Sequence, residues 1–209
     1  MKRGFTLIEV ISVISIIGLL LTLVAPSVNR LIVNNQNKTY LLSSKNIYNF
    51  INNYTIDNNI KLPISYVYDG YNIYYNNLSI VTSQALKDST GIIEIDSNGS
   101  IKLKITNGKI CATNYDSDEI VIDECDIEEE IYMILTKHIY DVAYSNDITK
   151  TYTFSSGKLQ SDNLDITFNH SYLFNATGKI ENGIIYMLYN DTCVTNDNGF
   201  KIVSKDTCI

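Results

Sequence analysis

The sequence predicts an α+β fold, in which a long amino-terminal helix packs on antiparallel β-sheet and a second helix lies inside the strand region. Two observations indicate this fold. Apolar residues run from Phe5 to Ala25 and then recur at helical spacing to about Asp57, and a second helical stripe begins at Ile127. The other segments show alternating strand patterns separated by Asn-Gly and Asp-Gly turns. With 209 residues and 45% apolar content, the chain is large enough to bury a core.

The charge balance and motif content exclude several classes of function. The chain has 16 Lys and Arg residues against 23 Asp and Glu, a net charge of -7, and no basic cluster that would bind phosphates, so no nucleic acid partner is expected. His138 and His170 lie in no recognisable catalytic arrangement. There is no zinc motif, phosphate loop or nucleophile elbow. The sequence therefore predicts no enzyme activity, no cofactor and no metal.

The amino-terminal segment is predicted to be a membrane-spanning helix. The leader, residues 1–4, is basic, and the apolar run from Phe5 to Ala25 has twenty-one residues, which a helix extends over about 31 Å. Basic residues before the run predict that this end stays cytoplasmic. The run contains one charge, Glu9. Because a carboxylate in lipid costs roughly 2–3 kcal/mol or more, its presence indicates a function.

Two simpler interpretations explain the segment less well. A secretory signal peptide needs small residues before its cleavage site, but a cut after Ala25 would place Leu23 at the third position and Pro26 directly after the cut. A plain membrane anchor leaves Glu9 unexplained. A third interpretation, which accounts for the charge, is therefore preferred.

The residues from Gly4 to Glu9, Gly-Phe-Thr-Leu-Ile-Glu, resemble the processing site of type IV pilins and the related pseudopilins. In that family a prepilin peptidase cuts after the glycine and N-methylates the new first residue, which implies Gly4 and Phe5 here. The family also favours a glycine and a proline later in the helix, and Gly18 and Pro26 match these places. The resemblance covers residues 1 to about 30.

The resemblance implies roles for these residues in a filament. The carboxylate of Glu9 would pair with the Phe5 amine of a neighbouring subunit and set its register, because an ion pair gains strength in a low dielectric. Gly18 and Pro26 lower helix stability by about 1 and 3 kcal/mol in generic interior positions, so the segment between them would unwind on entering the filament. The alternative is that both residues are simply tolerated in a membrane helix.

The strand region holds a tyrosine-rich hairpin and an acidic segment with two interpretations each. Tyrosines at the Asp69-Gly70 turn favour a plain hairpin over a sugar-stacking surface. These tyrosines are Tyr66, Tyr68, Tyr71, Tyr74 and Tyr75. Residues 116–130 contain nine acids, and their spacing favours a helix start, with Asp126 as cap and Glu129 three residues on, over a calcium site.

A second helix is predicted from about Ile127 to Tyr144. Lys137 and His138 lie toward its end, where positive charge is favoured. Its apolar stripe consists of Ile127, Ile131, Ile134, Leu135, Ile139 and Val142. Predicted strands then follow at 151–154, 164–168, 172–175, 183–189 and 199–203, with turns at Ser156-Gly157, Thr177-Gly178 and Asn198-Gly199.

An internal repeat predicts two pilin-like lobes, the alternative being one larger sheet with an inserted helix. The segment from Gly99 is aligned with that from Gly178, and each continues to two cysteines. Because the resemblance implies export and oxidation, each lobe is expected to hold one disulfide. The expected pairs are Cys111 with Cys125 and Cys193 with Cys208. The predicted segments are the leader 1–4, the membrane or filament-core helix 5–25, its amphipathic half 26–58, a first β lobe 59–125 and a second helix-plus-β lobe 126–209.

The function implied by the resemblance is structural. A minor pilin is expected, held in the cytoplasmic membrane as a single-pass protein and then assembled into an extracellular type IV pilus. Its expected partners are other pilin subunits, prepilin peptidase, the inner-membrane assembly platform and membrane lipid. The alternatives are a pseudopilin of a type II-like secretion or DNA-uptake machine, and a pilus-borne adhesin.

Overall fold

The structure is a computed structural model that describes residues 7–76, 78–82 and 86–208. Along these described residues, a long helix is followed by seven strands, a second helix and seven more strands. All strand pairs are antiparallel, so the predicted α+β class is confirmed. The chain divides into two compact units, Met1–Tyr40 and Leu41–Ile209, which are described separately.

Helix α1 spans Leu7–Asp57, which agrees with the predicted helix over the residues described. In the first unit, every Leu, Ile and Val side chain described between Leu7 and Val33 is 44–77% exposed. An 18-residue window of this helix has a mean hydropathy of 2.7. By length and composition, the helix is long and apolar enough to cross a membrane. Such a surface is unfavourable in water, and it fits membrane anchoring.

The second unit contains two seven-stranded sheets. The first sheet has the order β3-β2-β1-β4-β5-β6-β7. Its strands are β1 Ile64–Tyr68, β2 Asn72–Tyr75, β3 Leu78–Val81, β4 Thr90–Ile95, β5 Ile101–Thr106, β6 Cys111–Thr113 and β7 Val121–Asp123.

The second sheet repeats this order, strand for strand, as β10-β9-β8-β11-β12-β13-β14. Its strands are β8 Tyr152–Ser155, β9 Lys158–Ser161, β10 Leu164–Thr167, β11 Thr177–Glu181, β12 Ile184–Tyr189, β13 Thr192–Thr195 and β14 Lys201–Val203. Short 3-10 helices occur at Ser171–Leu173 and Lys205–Thr207. In each sheet, the first three strands follow one another from the centre to one edge. The fourth strand pairs with the other side of the first strand, and the remaining three strands continue to the opposite edge.

Helix α2, Glu128–Asp147, contacts both sheets with opposite faces. Toward the first sheet, the carboxylate of Glu130 binds Lys104 Nζ of β5 at 2.7 Å. Toward the second sheet, the ring of Tyr132 stacks on Tyr189 of β12 with centroids 4.5 Å apart. The predicted apolar stripe is buried. The helix therefore joins the two sheets through one shared core.

The end of α1 covers the other face of the first sheet. Ile47 and Ile51, one turn apart, are fully buried. Thr55 Oγ1 lies 3.0 Å from the hydroxyl of Tyr66 in β1, and this hydrogen bond is also buried. Since neighbouring residues of a strand point to opposite faces, Val67 faces α2 and joins the core around it. Both faces of the first sheet are thus covered by helices.

Several sequence predictions in the second half are wrong. The predicted strand at 172–175 is a 3-10 helix with its flanking loop. The predicted turn at Thr177-Gly178 lies inside β11, whose short and mostly polar sequence lacks a clear strand pattern. The alignment of Gly99 with Gly178 also fails, because Gly99 lies in the turn before β5. The counterpart of that turn is Asn182-Gly183, before β12.

The start and end of α2 also differ from the prediction. The helix begins at Glu128, and Ile127 rather than Asp126 is its cap residue, with no side-chain cap bond. The Asp126 carboxylate instead accepts a hydrogen bond from the Glu128 backbone at 3.3 Å. Three acids do occupy the first turn. His138 is 3% exposed and belongs to the core rather than to a charged helix end.

Candidate functional site

The amino-terminal helix presents one charged side chain within an apolar surface. Glu9 lies in the first turn of α1, and no other charged residue occurs between Leu7 and Pro26. Nearby hydroxyls bond to the helix itself, as Ser12 Oγ donates to the Ile8 carbonyl at 2.7 Å. Gly4 and Phe5, the predicted processing residues, lie outside the described residues. The predicted register role of Glu9 remains a prediction.

Gly18 and Pro26 both lie within an unbroken stretch of helix. A Cβ atom added at Gly18 would meet no other atom within 4 Å, so packing within the chain does not require a glycine there. Pro26 has no N–H to bond the carbonyl four residues earlier, that of Thr22. The hydroxyl of Thr22 donates to the Leu19 carbonyl at 2.8 Å. The predicted unwinding concerns the filament, and it remains a prediction for that state.

The four cysteines lie within bonding distance in the two predicted pairs. Cys111 and Cys125 have Cα atoms 6.0 Å apart, and Cys193 and Cys208 have Cα atoms 5.8 Å apart. Each pair ties an inner strand, β6 or β13, to the segment that follows the edge strand of the same sheet. The two pairs occupy equivalent places in the two sheets.

Peptide mapping of the unreduced protein is expected to link Cys111 to Cys125 and Cys193 to Cys208. Each bridge closes a loop of about fifteen residues and is expected to stabilise the chain by roughly 3 kcal/mol. The Cys193→Ser, Cys208→Ser variant should therefore unfold at lower urea concentration than the wild type. A peptide that links a cysteine of the first pair to one of the second would contradict the pairing.

The sequence Cys-x-Thr-Asn occurs at both inner cysteines and has the same role in each sheet. Asn114 Oδ1 accepts from the Leu103 backbone at 2.7 Å, and its Nδ2 donates to the Ile101 carbonyl at 2.8 Å. Asn196 makes the corresponding pair of bonds to Ile185 and Gly183, at 2.9 and 3.3 Å. These two asparagines are not among the residues predicted from the sequence, although the repeated four-residue string gives the correct alignment of the two halves.

The tyrosine-rich hairpin places three of its five tyrosine rings in the core. Tyr66 and Tyr68 are fully buried and Tyr74 is 6% exposed, whereas Tyr71 is about half exposed. Burial and the hydrogen bond to Asp69 raise the pKa of Tyr74 to about 12. The sugar-stacking hypothesis therefore fails for the three buried rings, and the hairpin interpretation agrees with the structure.

The acidic segment carries no recognisable metal centre in the part of the chain that the structure describes. Within those residues, no group of three His, Cys, Asp or Glu side chains is placed to hold a metal ion. Asp123, Glu124 and Asp126 instead lie along an open groove of about 660 Å³ beside the first cysteine pair. The calcium interpretation of residues 116–130 therefore gains no support.

Both histidines have a structural position that the sequence did not indicate. His138 and His170 are 3% and 1% exposed, and they lie in segments that pack against the first sheet. Burial is the main cause that lowers the pKa of each ring to about 4. Both rings are neutral at pH 7 and contribute no positive charge.

Comparison with known proteins agrees with the amino-terminal analysis. Residues 1–25 match the family model described as the prokaryotic N-terminal methylation motif, which is the type IV pilin and pseudopilin signal. No curated protein and no solved structure matches the chain. The long amino-terminal helix followed by antiparallel sheets is consistent with a pilin-like fold.

Proposed function

We propose that this chain is a structural subunit, a minor pilin, of a type IV pilus. Prepilin peptidase cleaves it after Gly4 and N-methylates Phe5, and the subunit then moves from the cytoplasmic membrane into an extracellular helical filament. The observation that carries this proposal is the methylation motif at residues 1–25, followed by an apolar helix with the single acid Glu9.

The exposed surface of α1 supports both locations of the subunit. Before assembly, lipid surrounds the apolar side chains between Leu7 and Val24, which are exposed in the structure. After assembly, the corresponding helices of other pilin subunits replace the lipid. The assembly platform of the inner membrane transfers the subunit between these two apolar environments.

The second unit supports a subunit with two pilin-like lobes, residues 59–125 and 126–209. Each lobe has a seven-stranded sheet and one cysteine pair, and each sheet is preceded by a helix, α1 before the first sheet and α2 before the second. Residues 1–4 are the leader, 5–25 the membrane or filament-core helix, and 26–58 its amphipathic continuation. The presence of two lobes in one chain favours a minor subunit over a bulk subunit.

A pseudopilin of a secretion or DNA-uptake machine is the second candidate, because the motif at residues 1–25 is shared by pilins and pseudopilins. The net charge of -7 disfavours direct DNA binding by the subunit. Detection of the chain in filaments sheared from the cell surface favours the pilus, and its restriction to the cell envelope favours the secretion or uptake machine.

The mature protein is expected to begin at Phe5 and to carry one methyl group on its amine. Mass spectrometry of the protein from its native cell, with and without prepilin peptidase, measures both features. A Gly4→Val variant should keep the leader, whereas Ser12→Ala, which lies in the same helix, should be processed normally. A mature chain that retains Met1, or one that starts at Pro26, would contradict the proposed function.

A further inference from the structure

The two histidines of the chain lie where the second half of the protein meets the first sheet. His138 of α2 has its Nε2 atom 2.9 Å from the Ser65 carbonyl oxygen of β1. His170 precedes the second-half 3-10 helix, and its ring lies edge-on to Tyr74 of β2 with centroids 4.8 Å apart. Each ring therefore contacts the first sheet from a different segment. We refer to this contact region, formed by His138, His170, Ser65 and Tyr74, as the histidine seam.

The neutral ring of His138 fits its surroundings. Strands β1 and β2 pair only at Val67–Tyr74 and Tyr68–Ile73, so Ser65 lies beyond the last pair. The His138 ring is hydrogen-bonded to the Ser65 carbonyl oxygen at this unpaired position. Because a carbonyl only accepts, Nε2 carries the hydrogen and Nδ1 does not. Among the described residues, the buried Nδ1 has no hydrogen-bond partner.

His170 is held as the same tautomer. Its Nδ1 accepts a hydrogen bond from the Tyr172 backbone N–H at 3.3 Å, so Nε2 carries the hydrogen. Among the residues that the structure describes, neither this Nε2 nor Oδ1 of Asn76 has a hydrogen-bond partner, and both atoms are buried. The two residues line a cavity of about 10 Å³, which has room for about one water molecule. A charged ring could not be fully hydrated in that space.

We propose that the histidine seam is an acid-sensitive contact, and that protonation of His138 and His170 releases α2 and the adjoining second-half segment from the first sheet. A proton added to His138 would place an N–H at Nδ1, where the described part of the chain offers no acceptor. A proton added to His170 would make Nδ1 a donor that faces the Tyr172 N–H. Each protonation therefore buries a charge, and at His170 it also sets two N–H donors against each other.

The charged groups around the seam do not offset the cost of burial. The hydrogen bond to Ser65 favours a positive charge on His138, whereas Lys137 and the second imidazole disfavour it. Tyr75 of β2 lies edge-on to this ring, with centroids 5.8 Å apart. Asp69 favours a charge on His170, but its carboxylate already accepts from the Tyr74 hydroxyl at 2.7 Å. Burial dominates for both rings and lowers the pKa of each from 6.5 to about 4.

The sign of the pH effect follows from these values. In the open state both rings regain an ordinary pKa near 6.5, so between pH 6.5 and 4 the open state binds more protons than the closed state. The stability of the seam is complete above pH 6.5 and falls as the pH approaches 4. For the two rings together, the open-to-closed ratio is expected to rise by roughly 10³ to 10⁴ between pH 7 and 4.5.

The test is amide hydrogen exchange of the full chain in detergent micelles at pH 7 and 4.5, with rates corrected for the intrinsic pH dependence of exchange. For amides in peptides from β1 and α2, the open-to-closed ratio at pH 4.5 is expected to exceed that at pH 7 by the factor given above. Peptides from the β12–β13 hairpin, which contains neither histidine contact, serve as the internal reference. Wild-type protein whose β1 and α2 protection is unchanged between the two pH values would overturn the proposal.

A matched variant separates the histidines from other titrating groups. His138→Gln keeps an N–H donor near the position of Nε2, and His170→Asn keeps an acceptor near Nδ1 at a helix cap. Neither replacement titrates, so the double variant should show no acid-induced opening. The same opening in the variant as in the wild type would overturn the proposal. Should the variant not fold, NMR titration of the wild-type ring protons decides, because two pKa values near 6.5 would also overturn it.

Discussion

Replacing Glu9 by alanine is expected to leave the protein in the membrane and to remove it from assembled filaments. The substitution makes the apolar helix more apolar, so insertion should not suffer. In the filament, however, the methylated amine of a neighbouring Phe5 would lose its partner. Breaking a buried ion pair from one side costs about 3–5 kcal/mol, which predicts at least a tenfold lower incorporation. The amounts of protein in sheared filaments and in membranes measure the two effects.

Two further variants separate charge from size at this position. Glu9→Gln keeps the shape and a hydrogen-bonding group but removes the charge, so it should assemble nearly as poorly as Glu9→Ala. Ser12→Ala is the control, since Ser12 bonds only to the Ile8 carbonyl of its own helix among the contacts described. Incorporation of Glu9→Ala at the wild-type level would contradict the register role while leaving the processing of Gly4 and Phe5 untouched.

The two helices could be predicted because each has a long periodic signal. The apolar run and the stripe around Ile47 and Ile51 predict α1. The structure has a helix over both segments, and Ile47 and Ile51 are buried. The stripe from Ile127 to Val142 places α2 to within a few residues. A helix of many turns repeats its pattern often enough that single exceptions do not obscure it.

The short strands were harder to predict because their burial depends on partners distant in sequence. Strand β11 has a single fully buried apolar residue, Ile180, and it pairs with β8 and β12 through mostly polar positions. Its Thr-Gly start resembles a turn in isolation. The pairing of Gly178 with Phe154 and Met187, which makes it a strand, is a tertiary feature that no local pattern contains.

The cysteines and the histidines show the same contrast at the level of sites. The cysteine pairs followed from spacing and a repeat, since both separations are short and nearly equal. The histidine seam could not be predicted, because His138 and Ser65 are 73 positions apart. A lone histidine on a helix gives no sign of whether it faces solvent or a strand carbonyl.

The corrected repeat yields the last prediction, which concerns two equivalent glycines. The string Thr-Gly-x-Ile-Glu opens both β4 and β11, and Gly91 pairs with Ile105 as Gly178 pairs with Met187. A Cβ at Gly91 would lie 2.7 Å from the Lys104 carbonyl oxygen.

A Cβ at Gly178 would collide with the Tyr186 carbonyl oxygen and the Met187 side chain in the same way. Gly91→Ala and Gly178→Ala are therefore each expected to lower the free energy of unfolding by about 3 kcal/mol, as measured by urea titration of tyrosine fluorescence. Gly99→Ala is the matched control: its Cβ would meet nothing within 4 Å, and only its positive φ of 85° should cost about 1 kcal/mol. Equal losses at the three positions would show that backbone freedom, rather than the close approach of neighbouring strands, requires glycine in both sheets.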